Sequence, residues 1–330
     1  MISPSIGISL YPDHGHAPEE LLKFADTAMY HATERGRNTY TVYAAAMDAA
    51  ARSRANLIAA LHRGLERDEF SVVYQPKLSL NTGRITGVEA LLRWDSEELG
   101  EVPPAEFIPL AEEAGLIVSI GDFVLDAACR QLRRWQEAGL AHLTVAVNLS
   151  MLQLLRGELI DRLKQLLVAN GLRADRLELE LTESVVMAAA ERSVDTLTEL
   201  KSIGVTLAID DFGTGYASLA YLRQLPLDII KIDPSFVAGL GHDETLTLLT
   251  RTVVQVGRDL GLRVIAEGIE QPRQLAALRE MGCGYGQGFL VARPMAAPGV
   301  EALIMTSVET GDGPPHERPV SECETTRVRG

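Results

Sequence analysis

The 330-residue sequence is short of basic residues, aromatics and cysteine. Thirty-one Lys and Arg stand against 45 Asp and Glu, a formal charge of −14 at pH 7. That deficit argues against sequence-independent binding to duplex nucleic acid, which depends on Lys/Arg contacts to phosphate. An anionic substrate is still compatible with it, provided metal ions bring positive charge locally. The three cysteines, Cys129, Cys283 and Cys323, are far apart and odd in number. They form neither a zinc spacing nor a disulfide framework, so a reducing, cytoplasmic setting is expected. There is no apolar run of transmembrane length, and "MISPSIGISLYP" lacks the charged start and long apolar core of a signal peptide. A tether to the membrane through a region outside these residues is compatible with the sequence.

What is present divides into three stretches. Residues 1–45 read as strand, turn, helix, strand, the helix "PEELLKFADTAMYHATERG" carrying Leu21, Leu22, Ala25, Ala28, Met29 and Ala32 on one face. Pro18 sits in its first turn and Gly36 at its C-cap. A piece this small cannot bury a proper core and reads as the tail of something larger. "DHGH" is taken as a solvated turn rather than a metal site. Residues 44–70 read as a helix whose first half holds the junction to the next unit, 46–305. The tail 306–330 is rich in Gly, Pro and charge, and is expected to be disordered.

Within 46–305 a short apolar strand ending in polar residues is repeatedly followed by a helical pattern. Strands are expected at 71–78, 85–94, 143–150, 177–184, 206–213, 227–234, 262–270 and 284–294. Eight such units over roughly 250 residues indicate an α/β fold, a (β/α)8 TIM-type barrel. The first two strands are joined only by "SLNTGR", a hairpin-length link. The first strand should therefore run antiparallel, which modifies the regular barrel.

Near the carboxyl ends of those strands stand Gln75, Glu89, Arg93, Asn148, Glu180, Glu183, Asp210, Asp211, Lys231, Asp233, Glu267, Glu270 and Gln287. In a barrel these ends converge on one mouth, where catalytic groups gather. Adjacent aspartates in "LAIDDFGTG" repel, and a cation would offset the cost. Glu89, Asn148, Glu180, Asp210, Asp211 and Glu267 offer oxygen alone, which suits Mg²⁺ or Mn²⁺ better than zinc. One aspartate bridging two ions is the geometry of two-metal phosphoryl chemistry. Lys231 and Arg93 would supply charge for phosphate oxygens.

The ordered motifs "EALLRW", "VNLS", "ELTES", "DDFGTGYASL", "KID", "AEGIE" and "GYGQGFLVARP" resemble those of the EAL-domain cyclic-di-GMP phosphodiesterases over about residues 55–305. The resemblance implies metal ligation by Glu89, Asn148, Glu180, Asp210 and Asp211, with two Mg²⁺ or Mn²⁺ ions as cofactors. Glu267 and Lys231 would be catalytic, at the second metal, the attacking water or the scissile phosphate. Gln75, Arg93, Asp233 and Gln287 would bind substrate, and Glu183 would steady the "DDFGTG" loop. The expected product is the linear dinucleotide 5′-pGpG. A catalytically silent module that binds cyclic-di-GMP is the alternative, disfavoured by the complete set of presumed ligands. A homodimer built around residues 214–240 is a further implication. Residues 1–43 resemble the C-terminal end of a GGDEF (diguanylate cyclase) domain whose signature and nucleotide-binding half would precede Met1, so no cyclase activity is expected. An upstream sensor or GGDEF portion would lie outside this chain.

Competing motifs are weaker. "DFG" at 211–213 lacks the other kinase elements in kinase order. "HD" at 242–243 has no partner histidines and reads as a helix start. "GCGYGQG" precedes a strand rather than a helix, unlike a dinucleotide fingerprint.

Overall fold

The computed structural model describes residues 4–34, 38–192, 194–215 and 222–309. Among these, eleven strands occur in chain order: β1 (Ser5–Ile8), β2 (Thr39–Val42), β3 (Phe70–Ser79), β4 (Ile85–Ser96), β5 (Gly100–Val102), β6 (Thr144–Asn148), β7 (Leu177–Thr182), β8 (Thr206–Phe212), β9 (Ile229–Ile232), β10 (Arg263–Ala266) and β11 (Tyr285–Gln287). The chain forms two compact units, one running to Glu69 with Trp94–Leu116, the other of Phe70–Arg93 with Ile117 onward. The helix Ala45–Glu66 therefore lies wholly in the first unit, whereas the sequence expectation placed the junction in its first half.

In the first unit β1 and β2 pair in parallel, Ser5 opposite Thr39 through Ile8 opposite Val42. The helix Pro18–Glu34 packs on one face of this pair. Gly7 makes that approach possible, because a Cβ there would overlap the backbone of Ala25 and Met29. Ala28 and Ala32 are fully buried, but Leu22 and Met29 are exposed. The expected six-residue face is thus unevenly covered, because two short strands cover too little of a helix to bury a full apolar stripe. Gly36 lies outside the described residues. "DHGH" is a turn in which His14 Nδ1 accepts a bond from Leu10 N–H at 3.0 Å. The short strand β5, which the sequence pattern did not reveal, pairs antiparallel with the end of β4, Trp94 opposite Val102.

The second unit is a closed eight-stranded barrel in the order β3-β11-β10-β9-β8-β7-β6-β4, with β4 returning to β3. The pairs β4–β6, β6–β7, β7–β8, β8–β9, β9–β10 and β10–β11 are parallel. β3 runs antiparallel to β11. The tight turn after β3, where Gly83 N–H bonds Ser79 O at 2.8 Å, reverses the chain as the six-residue link requires. The modified TIM-type architecture is thus present. Its wall is the apolar set of the sequence pattern: Val145, Leu179, Ile209, Ile229 and Ile230 are fully buried. β11 is far shorter than the expected 284–294, because the chain turns at Gly288 where Val291 N–H and Ala292 N–H both bond its carbonyl. The last helix, Ala297–Glu309, passes the expected limit at 305, and residues 310–330 lie outside the described residues.

Candidate active site

β8 ends in Asp210 and Asp211. In a regular strand, neighbouring side chains face opposite sides. Here the register with β9 breaks between Ile209 and Phe212, and Asp211 takes φ 53°. Left-handed backbone at a non-glycine residue costs on the order of 1–3 kcal/mol and persists where the surroundings impose it. A bulge of this kind re-aims side chains. It brings carboxylate oxygens of Asp210, Asp211 and Glu267 within 4.8 Å of one another. The turn that follows is clamped by Glu183, 3% exposed at the start of the helix Glu183–Arg192. Its Oε2 accepts from Gly213 N–H at 3.0 Å and Gly215 N–H at 3.2 Å. Gly215 leaves room for that carboxylate, since a Cβ there would stand 2.5 Å from it.

Asp210 also belongs to a second trio with Glu89 and Glu180, oxygens again within 4.8 Å. These come from neighbouring strands: Asn148 pairs with Glu180 across β6–β7, and Thr182 with Asp210 across β7–β8. Lys231 on β9, 1% exposed, stands at the centre. Its Nζ lies 2.7 Å from Glu180, 2.8 Å from Glu267, 3.0 Å from Asp210 and 3.5 Å from Glu89. Amide donors complete the cluster. Asn148 Nδ2 donates to Glu89 Oε1 at 2.8 Å, and Gln287 Nε2 to Glu89 Oε2 at 2.7 Å and Gln75 Oε1 at 3.0 Å.

The electrostatics follow from crowding. Burial, with Asp210 and Glu89 adding to it, pushes Glu267 up to about 7 against the pull of Lys231. Burial and the charges of Glu89 and Asp210 likewise push Glu180 well above the usual carboxylate range. Asp211 rises through burial, Asp210 and Asp233. Glu89 goes the other way: although burial opposes it, Lys231 and the amides of Gln287 and Asn148 bring it down to about 2. Lys231 is buried, which disfavours its charge, yet the four carboxylates raise it well above an ordinary lysine.

Five carboxylates around Lys231 leave unneutralised charge, and Glu180 Oε1 is buried without a hydrogen bond, its nearest cation being Lys77 Nζ at 3.5 Å. An oxygen-only donor set with a carboxylate oxygen that makes no hydrogen bond fits hard divalent cations. The residues that would hold them are Glu89, Asn148, Glu180, Asp210 and Asp211, with Glu267.

Two expected residues stand apart from this network, and a third touches it at its edge. Arg93 turns Nη1 onto its own neighbour, Leu92 O, at 2.8 Å, and makes no ion pair with the cluster among the described residues. Asp233 caps the helix Pro234–Ala238, accepting from Ser235 N–H at 2.8 Å, and reaches the site only through Asp211. Glu270 is exposed, its N–H bonded to Gln274 at 2.8 Å. Conversely, sequence reasoning missed Lys77 and Glu178, a buried pair at 2.5 Å beneath Glu180, with Lys77 3.5 Å from Glu180. The signal was the alternation in "LELEL", which puts Glu178 and Glu180 on one face of β7.

A closed barrel whose strand ends gather oxygen donors around a buried lysine is an arrangement whose carboxylate groups could hold metal ions. Comparison with known proteins gives the family. The chain belongs to the EAL-domain family, whose profile, described as EAL domain, matches residues 58–294. Residues 1–39 match the profile described as Diguanylate cyclase, GGDEF domain. Among similar proteins is the bifunctional diguanylate cyclase/cyclic di-GMP phosphodiesterase MucR of Pseudomonas aeruginosa, 45% identical over 303 residues, 92% of this chain and 44% of MucR. The cyclic di-GMP phosphodiesterase PdeR of Escherichia coli is 38% identical over 299 residues, 91% of this chain and 45% of PdeR. The chain thus spans less than half the length of these relatives. A solved structure titled PaMucR Phosphodiesterase, c-di-GMP complex superposes with a TM-score of 0.72 at 44% identity, covering 74% of this chain and 99% of that one.

Proposed function

We propose that this chain hydrolyses cyclic-di-GMP to linear 5′-pGpG, with two Mg²⁺ or Mn²⁺ ions held by the mouth carboxylates. The observation that carries the reading is the pair of carboxylate trios sharing Asp210. One ion would be held by Glu89, Asn148, Glu180 and Asp210, the other by Asp210, Asp211 and Glu267. Bound divalent cations supply charge neutralisation at phosphate and a more acidic water. The chain's own groups do the rest. Glu267, raised to about 7 by burial in the metal-free chain and shifted back toward the carboxylate by bound cations, would take the proton of the attacking water at neutral pH. Lys231 places a fixed positive charge where negative charge grows on the phosphate oxygens. The water oxygen bonds to phosphorus, the bond from phosphorus to the ribose 3′ oxygen breaks, and that oxygen takes up a proton from solvent to leave as the 3′ hydroxyl. Gln75 and Gln287, locked together with Glu89, form the wall against which substrate is placed.

Relatives named for phosphodiesterase activity, and a superposing structure named as a c-di-GMP complex, support the choice of substrate. Among the described residues no helix is long and apolar enough to cross a membrane, and we assign the chain to the cytoplasm on composition. Self-association through residues 214–240 is part of the same reading, with 216–221 outside the described residues. The test is turnover of cyclic-di-GMP with Mg²⁺ or Mn²⁺, with Ca²⁺, and in excess chelator. Ca²⁺ favours longer bonds and higher coordination, so it should inhibit by spoiling a separation of roughly 3.5–4 Å between the ions. Full activity in chelator overturns the reading.

A further inference from the structure

Below the carboxylate cluster the barrel interior stays polar. On β7 Glu180 belongs to the mouth, and Glu178, two residues earlier on the same face, lies about 6.5 Å nearer the opposite end. Lys77 Nζ stands 2.5 Å from Glu178 Oε2, and the Thr144 hydroxyl donates to Oε1 at 2.7 Å. The charge of Glu178 is thereby met inside the barrel. Around this pair, where the parallel strands begin, is a cavity of about 180 Å³. Thr144, Arg263 and Tyr285 are the first residues of β6, β10 and β11, and Arg176 directly precedes β7.

Two guanidiniums set the sign of this cavity. Arg263 Nη1 stands 3.9 Å from Glu178 Oε1, too far for a hydrogen bond, and its side chain is 41% exposed. Arg176 Nη1 donates to His142 O at 3.0 Å, one of the five N–H groups of its fork, and Nε lies 4.0 Å from Asp175 Oδ1. Neither guanidinium makes another hydrogen bond or ion pair among the described residues, so most of both forks is unspent. Tyr285, half-buried, also lines the cavity. With Lys77 and Glu178 cancelling, the lining carries two positive charges in a chain of formal charge −14. Pockets for drug-sized ligands run to roughly 300–1,000 Å³, so a smaller guest fits here. Two planar forks suit the oxygens of a phosphate, and a phosphate dianion balances their charge.

We propose that this cavity, at the end of the barrel away from the carboxylate cluster, binds a small phosphate dianion held by Arg176 and Arg263. Inorganic phosphate and the phosphate end of a small monoester share that chemistry. The site needs neither metal nor substrate at the mouth, and stands or falls apart from the phosphodiesterase reading. Glu178 is the one lining group that opposes the guest.

The experiment is calorimetric titration of the full chain with inorganic phosphate, glycerol phosphate and acetate, in excess chelator at matched ionic strength. Without metal the mouth is net negative and repels anions, so binding reports the other end. Wild type should bind phosphate. Arg263→Gln and Arg176→Gln should each weaken it by about tenfold or more, the loss of a charge-assisted contact. Glu178→Gln removes the opposing charge and should tighten binding several-fold, a change of sign that a general loss of structure would not produce. Acetate, with a single charge, should bind about tenfold more weakly than phosphate. Glycerol phosphate that binds as well as phosphate supports a monoester guest, and its exclusion supports the free ion. Arg263 is partly exposed, so Arg263→Gln should melt with wild type and carries the test if Arg176→Gln does not fold. Wild type that binds no phosphate at millimolar concentration overturns the site. So does an Arg263→Gln variant that binds phosphate as wild type does, or acetate that binds as tightly as phosphate.

Discussion

The N-terminal strand–helix–strand piece and the barrel are written in similar residues, short apolar strands beside amphipathic helices, yet they end in opposite states. In the barrel Leu179, Ile209, Ile229 and Ile230 have no exposed surface. In the piece Ile6 and Tyr40, which face each other across β1 and β2, are 52% and 66% exposed, and Val42 is 40% exposed. Closure makes the difference. Eight strands joined into a ring have no free edge and an interior that every strand shares. Two strands keep both edges and, with one helix upon them, a bare face. Only the closed body can also hold charge against its own repulsion: five carboxylates, a buried lysine and a left-handed aspartate need a wall that cannot relax. Among its described residues the piece holds nothing comparable, and its histidine turn ties His14 to the backbone N–H of Leu10.

The comparison breaks most sharply at Lys231 and Asp211. Replacing Lys231 with Ala leaves Glu180 and Glu267 buried without their counter-charge. Loss of one partner of a buried ion cluster costs about 3–5 kcal/mol. In chelator the melting temperature should therefore fall, and added Mn²⁺ should recover part of it. Turnover should drop on the order of 10³-fold or more even with metal saturating, because the lysine contributes charge but no ligand. Asp211→Asn should behave differently. It removes one of two adjacent carboxylates, relieving the repulsion that raises Asp211, so stability in chelator should hold or rise slightly. Its turnover should still fall about 10³-fold. A variant that melts well below wild type in chelator and keeps its turnover would show the aspartate pair to be a structural turn.

A smaller effect concerns pH. Glu267 is raised to about 7 in the folded, metal-free chain, with Glu180 and Asp211 raised as well. A raised carboxyl holds its proton when folded and releases it when unfolded, so the folded state is favoured at low pH and loses that advantage as pH climbs from about 4.5 through 7. Glu89, lowered to about 2, acts in the opposite sense but only below the ordinary carboxylate range. In chelator, stability should decline between pH 5 and 8 by on the order of 1–3 kcal/mol. Saturating Mn²⁺ should flatten or invert the slope, since the cations favour the ionised form. Denaturant melts at three pH values, with and without metal, read this directly, and a chelated chain that grows more stable toward pH 8 would contradict the crowded-carboxylate picture.

Most of the barrel and its mouth could be read in the sequence because each strand declared itself twice, by an apolar run and by a polar residue where the run stops. That rule placed all eight barrel strands and brought Glu89, Asn148, Glu180, Asp210, Asp211, Lys231, Glu267 and Gln287 into one region. It failed where position along a strand does not determine direction. Arg93 and Glu270 stand at the right height but turn to backbone and solvent. Lys77 and Glu178 lie one layer deeper, at positions the rule treats as apolar wall. The bulge that lets adjacent aspartates share a face depends on β9 as much as on β8, and no local pattern encodes it. In the N-terminal piece Leu22 and Met29 share the apolar face yet lie exposed, since amphipathicity shows which face could be covered and not how much cover exists.

The smallest expected effect belongs to the region with least burial. The EAL-domain match begins at residue 58, and β1, the helix Pro18–Glu34 and β2 supply no member of the carboxylate cluster. Deleting residues 1–43 removes Phe24 and Tyr43 together, whose rings stack at 4.2 Å, so no half of that contact is stranded. It also strips Ile6, Tyr11, Leu22, Tyr30 and Tyr40 from the surface. Exposed apolar groups gathered in so small a piece favour association, so the truncated chain should stay in solution at higher concentration than the full one. Cyclic-di-GMP turnover should remain within a few-fold, because the barrel closes without these residues. Turnover and light scattering on the two chains at micromolar concentration are the measurement. A folded truncated chain that loses its turnover would mean that the piece bears on the catalytic mouth, and the contrast between an autonomous barrel and an incidental appendage would have to be abandoned.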